Sequence, residues 1–331
     1  MDDDEAMAAQ AAIAARVGEF YENHPYPPPL DDVAAYRRSW DERRRGAESA
    51  LIFPSQAYRD DRSILVAGCG TMQAVHHALR WPRARVVGID VSATSIELAA
   101  ALKRKHRLDN LELRRLAVES VNELGERFDF AVCTGVLHHL ADPVAGLRAI
   151  RAAVRSGGAL NVMVYAPYGR AGVYMLQEYC RRLGIGWSSA EIRDLAATLE
   201  ALPADHPLVP LLRASPDFLN PDALADALLH PRDRAYDVAQ FFELLDRGGF
   251  TFARWVRQAP YLPACGGPAS TPHAAVLARL PRQAQYAAME LFRGTMARHS
   301  AIAYVSDDAS APRAVRFDGD DWLGFVPIAV P

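Results

Sequence analysis

The chain has 331 residues, half of them apolar, enough for one large domain or for a core with inserted pieces. A formal net charge of −3 gives no global field to hold a polyanion, so nucleic acid is not expected as a partner, and no apolar run reaches the length that crosses a bilayer. The opening Met1-Asp2-Asp3-Asp4-Glu5 lacks a secretory pattern, and Cys69, Cys133, Cys180 and Cys265 show neither a CxxC pair nor zinc spacing, so reduced thiols in a cytoplasmic protein are expected.

Residues 6–20 read as an alanine-rich helix, followed by Phe20-Tyr21-Glu22-Asn23-His24-Pro25-Tyr26-Pro27-Pro28-Pro29, which the prolines hold extended. Two readings stand: a strap packed on the core, or a lid whose rings, Tyr21 and Tyr26 above all, close over a bound ligand. Arg37, Arg38, Arg43, Arg44 and Arg45 are interrupted by Asp41 and Glu42 and read as a solvated helix face.

Ile64-Leu65-Val66-Ala67-Gly68-Cys69-Gly70-Thr71 reads as a buried parallel strand that stops at a tight turn. Glycine suits that turn because a Cβ would keep the backbone away from a ligand at the strand's carboxyl end. A helix is predicted over Met72 to Arg80, with its N-terminal amides toward the same ligand. A second strand, Ala84 to Asp90, ends in a carboxylate about twenty residues after the glycines, where a ribose diol is held. The unit is a nucleoside-binding βαβ, open to a nicotinamide dinucleotide or to S-adenosylmethionine. The dinucleotide fingerprint wants a third small residue where this chain has Gln73, which counts against it.

Strands follow at Leu111 to Arg115 and Phe128 to Cys133. Next come Thr134-Gly135-Val136-Leu137-His138-His139-Leu140-Ala141-Asp142-Pro143 and a helix over Val144 to Val154. Gly157-Gly158 is expected to stop that helix and start the strand Ala159 to Tyr165. With these segments in place the chain resembles the class I S-adenosylmethionine-dependent methyltransferases, well over residues 60–166 and loosely over 236–260. The resemblance rests on the glycine turn, Asp90, the His-His segment and the Gly-Gly pair in order and spacing.

The resemblance implies a Rossmann-like, doubly wound α/β fold, mostly parallel with an antiparallel closing strand, and S-adenosylmethionine as cofactor. It implies that Gly68, Cys69 and Gly70 line the methionine and ribose end, and that Asp90 accepts from the ribose hydroxyls. Val91 would cover the adenine, Ala117 and Val118 meet its edge, and Thr134 and Gly135 flank the reactive end. The chain departs from the family pattern at Val66 and Met72, and at the adenine turn, where Glu119 stands near the usual acid.

The expected organisation is a helical leader over 1–62, the cofactor core over 63–166, a helical cap insertion over 167–235, and a return to the core over 236–260. A second insertion over 261–298 and a closing strand with tail over 299–331 complete it. The implied activity is methyl transfer to a small molecule, with a protein or peptide side chain as the alternative acceptor and a non-catalytic scaffold as the alternative of another class. His138 and His139 are the candidate general bases, because neutral imidazole takes protons near working pH. His24, His76 and His77 are read as surface or satisfied rings. No metal site is expected, since no carboxylate stands at ligand spacing from the histidines in sequence.

Overall fold

The computed structural model describes residues 3–28, 32–214, 218 and 220–306, so Pro29, Pro216 and the tail beyond 306 lie outside the described residues. The helices are α1 (Asp3–Asn23), α2 (Val33–Arg38), α3 (Glu42–Ile52), α4 (Gln73–Arg80), α5 (Ala93–His106), α6 (Pro143–Ala153) and α7 (Ala171–Leu183). They continue with α8 (Ser189–Leu199), α9 (Val209–Ala214), α10 (Pro221–Leu228), α11 (Val238–Arg247), α12 (Ala274–Arg279) and α13 (Arg282–Arg293). The strands are β1 (Ser63–Ala67), β2 (Arg85–Asp90), β3 (Leu111–Arg115), β4 (Phe128–Thr134), β5 (Val154–Tyr165), β6 (Phe250–Trp255) and β7 (Arg298–Val305).

One seven-stranded sheet runs β3-β2-β1-β4-β5-β7-β6. The first five are parallel, and β7 inserts antiparallel to both β5 and β6. The strand order reverses beside β1, so the crevice at the carboxyl ends of β1 and β4 is the natural ligand site of such a sheet. The apolar runs explain the layering, since Leu65, Val66, Val87 and Val132 are covered on both faces. One face is packed by α6 and α11, the other by α3 and α4.

The Gly157-Gly158 pair does not stop α6. The helix ends at Ala153 and β5 starts at once, paired Phe128↔Val154 and then slipping to Phe130↔Ala159. Gly157 sits in that bulge, where the extra residues of β5 loop out of register.

A third apolar cluster belongs to the cap. Val173, Leu176, Ile192, Leu195, Leu224 and Leu228 from α7, α8 and α10 close around Phe20 of α1, which is fully buried. The leader is therefore divided: α1 packs into the cap, running through Phe20, Tyr21 and Glu22 to Asn23 where an extended segment was expected, whereas Val33 and Ile52 of α2 and α3 join the sheet face.

The second insertion is pinned by a buried polar chain. The Tyr261 hydroxyl meets His299 Nδ1 at 2.7 Å, His299 Nε2 meets Glu290 Oε1 at 3.0 Å, and Glu290 Oε2 accepts from the Val238 amide at 2.8 Å. Glu290 thus ties α13 to β7 and to the first turn of α11. Glu290→Ala leaves His299 Nε2 and the Val238 amide unpartnered, and is expected to cost about 2–4 kcal/mol in urea unfolding. A loss under about 0.5 kcal/mol, the scale of an ordinary surface change, would show that the chain does not anchor the insertion.

Candidate functional site

The site grows from the end of β1. Gly68 and Gly70 take positive φ, +69° and +50°, which side chains rarely adopt. A Cβ on Gly68 would run into Val136, and one on Gly70 would overlap the Tyr26 carbonyl oxygen. The turn is held by Asp90 at the end of β2, whose Oδ2 accepts from the Gly70 amide at 2.7 Å and whose Oδ1 accepts from the Ser92 amide at 3.0 Å. Burial raises the Asp90 carboxyl, and the Ser92 and Gly70 amides pull it back.

Around this turn lies a cavity of about 640 Å³. Gly68, Gly70, Asp90, Val91, Ala117, Val118, Thr134 and Gly135 all line it, as do Tyr21, Tyr26 and His139. Val91 is an exposed apolar side chain facing that space, beside Leu116 and Val118. Two expected residues stand apart. The Cys69 side chain is fully buried and its thiol donates to the Gly70 carbonyl at 3.5 Å, while its amide donates to Ile89 and its carbonyl accepts from Gln73, so it braces the turn and does not line the cavity. His138 is buried with both ring nitrogens unpartnered and does not line the cavity.

Gln73 bridges the top of α4 to β4: its Nε2 donates to the Thr134 carbonyl and its Oε1 accepts from the Thr134 hydroxyl, both at 2.9 Å. The side chain that weakened the dinucleotide reading therefore occupies the approach at the helix start.

The leader closes one side of the cavity. Glu22 accepts from the amides of Ala93 at 2.7 Å and Thr94 at 2.9 Å and from the Thr94 hydroxyl at 2.7 Å, capping α5 from another element. The Thr94 hydroxyl and these amides hold its carboxyl down at about 2. His24 bonds Asp222 at 3.0 Å and the Trp187 carbonyl at 2.9 Å, both in the cap. Thr71 donates through its amide to the Tyr26 carbonyl and through its hydroxyl to the Pro27 carbonyl. His24, expected at the surface or satisfied, is buried and satisfied.

The far end of the cavity is polar and aromatic. Tyr165, Arg170, Asn161, Asp226 and His139 line it. Arg170 lies 3.6 Å over the Tyr165 ring, and its guanidinium reaches Asp233 at 3.4 Å. Tyr21 donates to Asp226 Oδ1 at 2.9 Å, so its hydroxyl points to the cap. His139 Nδ1 lies 2.6 Å from the Arg232 carbonyl, which can only accept, so Nδ1 is the donor and Nε2 carries the lone pair in the neutral ring. The 3-10 turn Leu137–His139 thus divides the pair: His138 packs 4.2 Å from Tyr165, and His139 faces the cavity.

The carboxylates absent near the histidines in sequence arrive through the cap. Single atoms of His139, Asp226 and His230 lie within 4.8 Å of one another, and so do atoms of His138, His139 and Asp233. His230 Nδ1 accepts the Arg232 amide at 3.0 Å, which places the proton on Nε2, and its ring centroid lies 3.8 Å from that of His139 with the planes tilted by 35°. Both features oppose shared ligation of a cation, which needs a bare nitrogen from each ring.

Glu22, Tyr165, Arg170 and Asp226 were not singled out from the sequence, and Gln73 was noted only as a departure from the dinucleotide fingerprint. Asp226 had a readable signal, as the one acid within the apolar run Ala223-Leu224-Ala225-Asp226-Ala227-Leu228-Leu229.

Residues 65–160 match the methyltransferase domain family. The chain is 30% identical over 252 residues to an uncharacterized protein of Synechococcus sp., covering 73% of this chain and 60% of that protein. It is 29% identical over 134 residues to a ubiquinone biosynthesis O-methyltransferase of Pseudomonas fluorescens, covering 39% and 50% respectively. The chain thus spans half to three-fifths of the length of these relatives. Among solved structures, PKMT2 from Rickettsia typhi in complex with AdoHcy superposes with a TM-score of 0.62 at 18% identity, over 89% of this chain and 57% of that one. Residues 65–160 therefore carry the methyltransferase domain of the class I, S-adenosylmethionine-dependent type, set in the fold of that class. Among the described residues no helix is long and apolar enough to cross a membrane.

Proposed function

We propose that this protein transfers the methyl group of S-adenosylmethionine to a small-molecule acceptor. The observation that carries the reading is one continuous cavity with two unlike ends. One end has the glycine turn, the Asp90 carboxylate and an apolar slot between Val91 and Val118; the other has Tyr165, Arg170, Asp226 and His139 under the cap. When bound, S-adenosylmethionine supplies a methyl group on a sulfonium, already a reactive electrophile. The protein's task is then to align the acceptor and exclude water. Asp90 would hold the ribose, Gly68 and Gly70 would pass the methionine arm, and Thr134 and Gly135 would border the methyl.

A small acceptor is favoured over a polypeptide because α1 and the cap helices both close on the far end, joined by the Tyr21–Asp226 bond. The similarity to O-methyltransferases of ubiquinone biosynthesis supports the same choice.

S-adenosylmethionine or its demethylated product should raise the melting temperature. A ligand present at 100 times its Kd adds about 2.7 kcal/mol to native stability. NAD should leave it unchanged. A shift with NAD and none with either adenosyl ligand would reject the methyltransferase reading.

A further inference from the structure

We infer that His139, Asp226 and Tyr21 form the seat of the methyl acceptor, which therefore presents a hydroxyl or amine whose proton passes to His139. This rests on the methyl-transfer reading above and adds the chemical class of the nucleophile. Three observations carry it. His139 is the member of the histidine pair that faces the cavity, and the Arg232 carbonyl fixes its proton on Nδ1, leaving a bare Nε2 as proton acceptor. Asp226 is a carboxylate on an apolar helix, almost fully buried yet lining the same cavity, and the Tyr21 hydroxyl engages only its Oδ1. One nitrogen of His139 and one oxygen of Asp226 lie within 4.8 Å of each other. The heteroatom of one hydroxyl or amine can sit at hydrogen-bond distance from two atoms at that spacing; a hydroxyl gives its single proton to one of them, and a primary amine has one for each.

Both His139 and Asp226 accept, so the site selects an acceptor that donates. A thioether or an unactivated carbon would offer neither of them a proton and would leave Asp226 with its bond from Tyr21 alone, a penalty that specificity sites exploit. In the step itself the acceptor heteroatom forms its bond to the methyl carbon as the carbon–sulfur bond breaks. The acceptor's proton moves to His139 Nε2, and S-adenosylhomocysteine leaves with the electron pair. Asp226 orients the nucleophile and offsets the imidazolium charge, while Tyr21 is a positioning residue that holds the carboxylate.

The test is methyl transfer from isotopically labelled S-adenosylmethionine to phenol, catechol, benzylamine, dimethyl sulfide and indole, with cofactor binding measured separately by calorimetry. Transfer is expected to the hydroxyl or amine probes and not to dimethyl sulfide or to indole carbon. His139→Ala should lower kcat about 100-fold, within the usual range for a lost general base, with part of the rate restored by added imidazole. Asp226→Asn should raise the acceptor KM about tenfold. Tyr21→Phe should raise KM with kcat changed less than threefold, and all three variants should keep their cofactor affinity within about twofold. Transfer to dimethyl sulfide or to indole carbon, no transfer to any hydroxyl or amine probe by protein that binds cofactor, or full kcat in His139→Ala would overturn the assignment. So would stoichiometric zinc binding that is abolished by His230→Ala. Failure of the cofactor itself to bind would instead reject the methyl-transfer reading beneath it.

Discussion

Asp90→Ala is expected to weaken S-adenosylmethionine binding by roughly 1.5–3 kcal/mol, about 10- to 150-fold in Kd, the scale of hydrogen bonds to a charged group. The carboxylate has two jobs. Its oxygens accept from the Gly70 and Ser92 amides and keep further lone pairs for a ligand in the cavity. Removing it deletes the proposed ribose partner and also frees the Gly70 amide, so the glycine turn loses its brace. Asp90→Asn keeps the shape and one carbonyl oxygen, and should fall between wild type and Ala. Calorimetric titration decides the matter, and an Ala variant with wild-type affinity would remove Asp90 from the cofactor site.

Stability should fall steeply in mild acid. Burial holds His77, His138 and His230 neutral, well below the ordinary imidazole range, and holds His76 at about 4. Below about pH 6.5 the unfolded chain takes up protons that the folded one refuses, so these rings destabilise the native state as pH drops. Asp90, Asp226, Glu48 and Glu119, whose carboxyls burial raises, work in the opposite direction as pH nears the carboxylate range, so the rings govern the upper part of the window. Urea midpoints measured at pH 7, 6 and 5 should therefore decline sharply. Glu22 behaves otherwise: its carboxyl is held at about 2, so its bond to α5 persists through this window and is lost only as pH falls from about 4.5 toward 2. A flat profile from pH 7 to 5 would mean that protons reach the buried rings in the folded state.

The sheet was legible because its strands are apolar runs that end in residues with a distinct job, as at Gly68, Asp90 and Thr134. Local sequence also carries the capping boxes that start α8 and α11. What escaped depends on elements meeting in space. His138 and His139 are equivalent in sequence, and only the 3-10 turn and the Arg232 carbonyl make one of them a cavity residue. Glu22 reads as part of an extended, proline-held segment until α1 is seen to run through it and the N-terminus of α5 is brought to it. Gly157-Gly158 carried a helix-stop signal, but pairing with Phe128 and Phe130 turned it into a bulge within β5. Asp226 stands out in sequence as a lone acid in an apolar run, and laying α10 against Tyr21 shows what that acid meets.

The contacts of the leader also set a timetable for biosynthesis. Tyr21 is translated 205 residues before Asp226, its hydrogen-bond partner, and His24 is translated 198 residues before Asp222. At 5–20 residues per second that separation is roughly 10–40 s of elongation. Through this interval Phe20, destined for the cap core, has none of its partners from α7, α8 and α10 at first and gains them in stages. The nascent α1 segment therefore spends tens of seconds as an exposed amphipathic stretch, open to chaperones and proteases. Ribosome-bound chains arrested before α10 should accordingly be cut within α1, and chains arrested beyond it should resist.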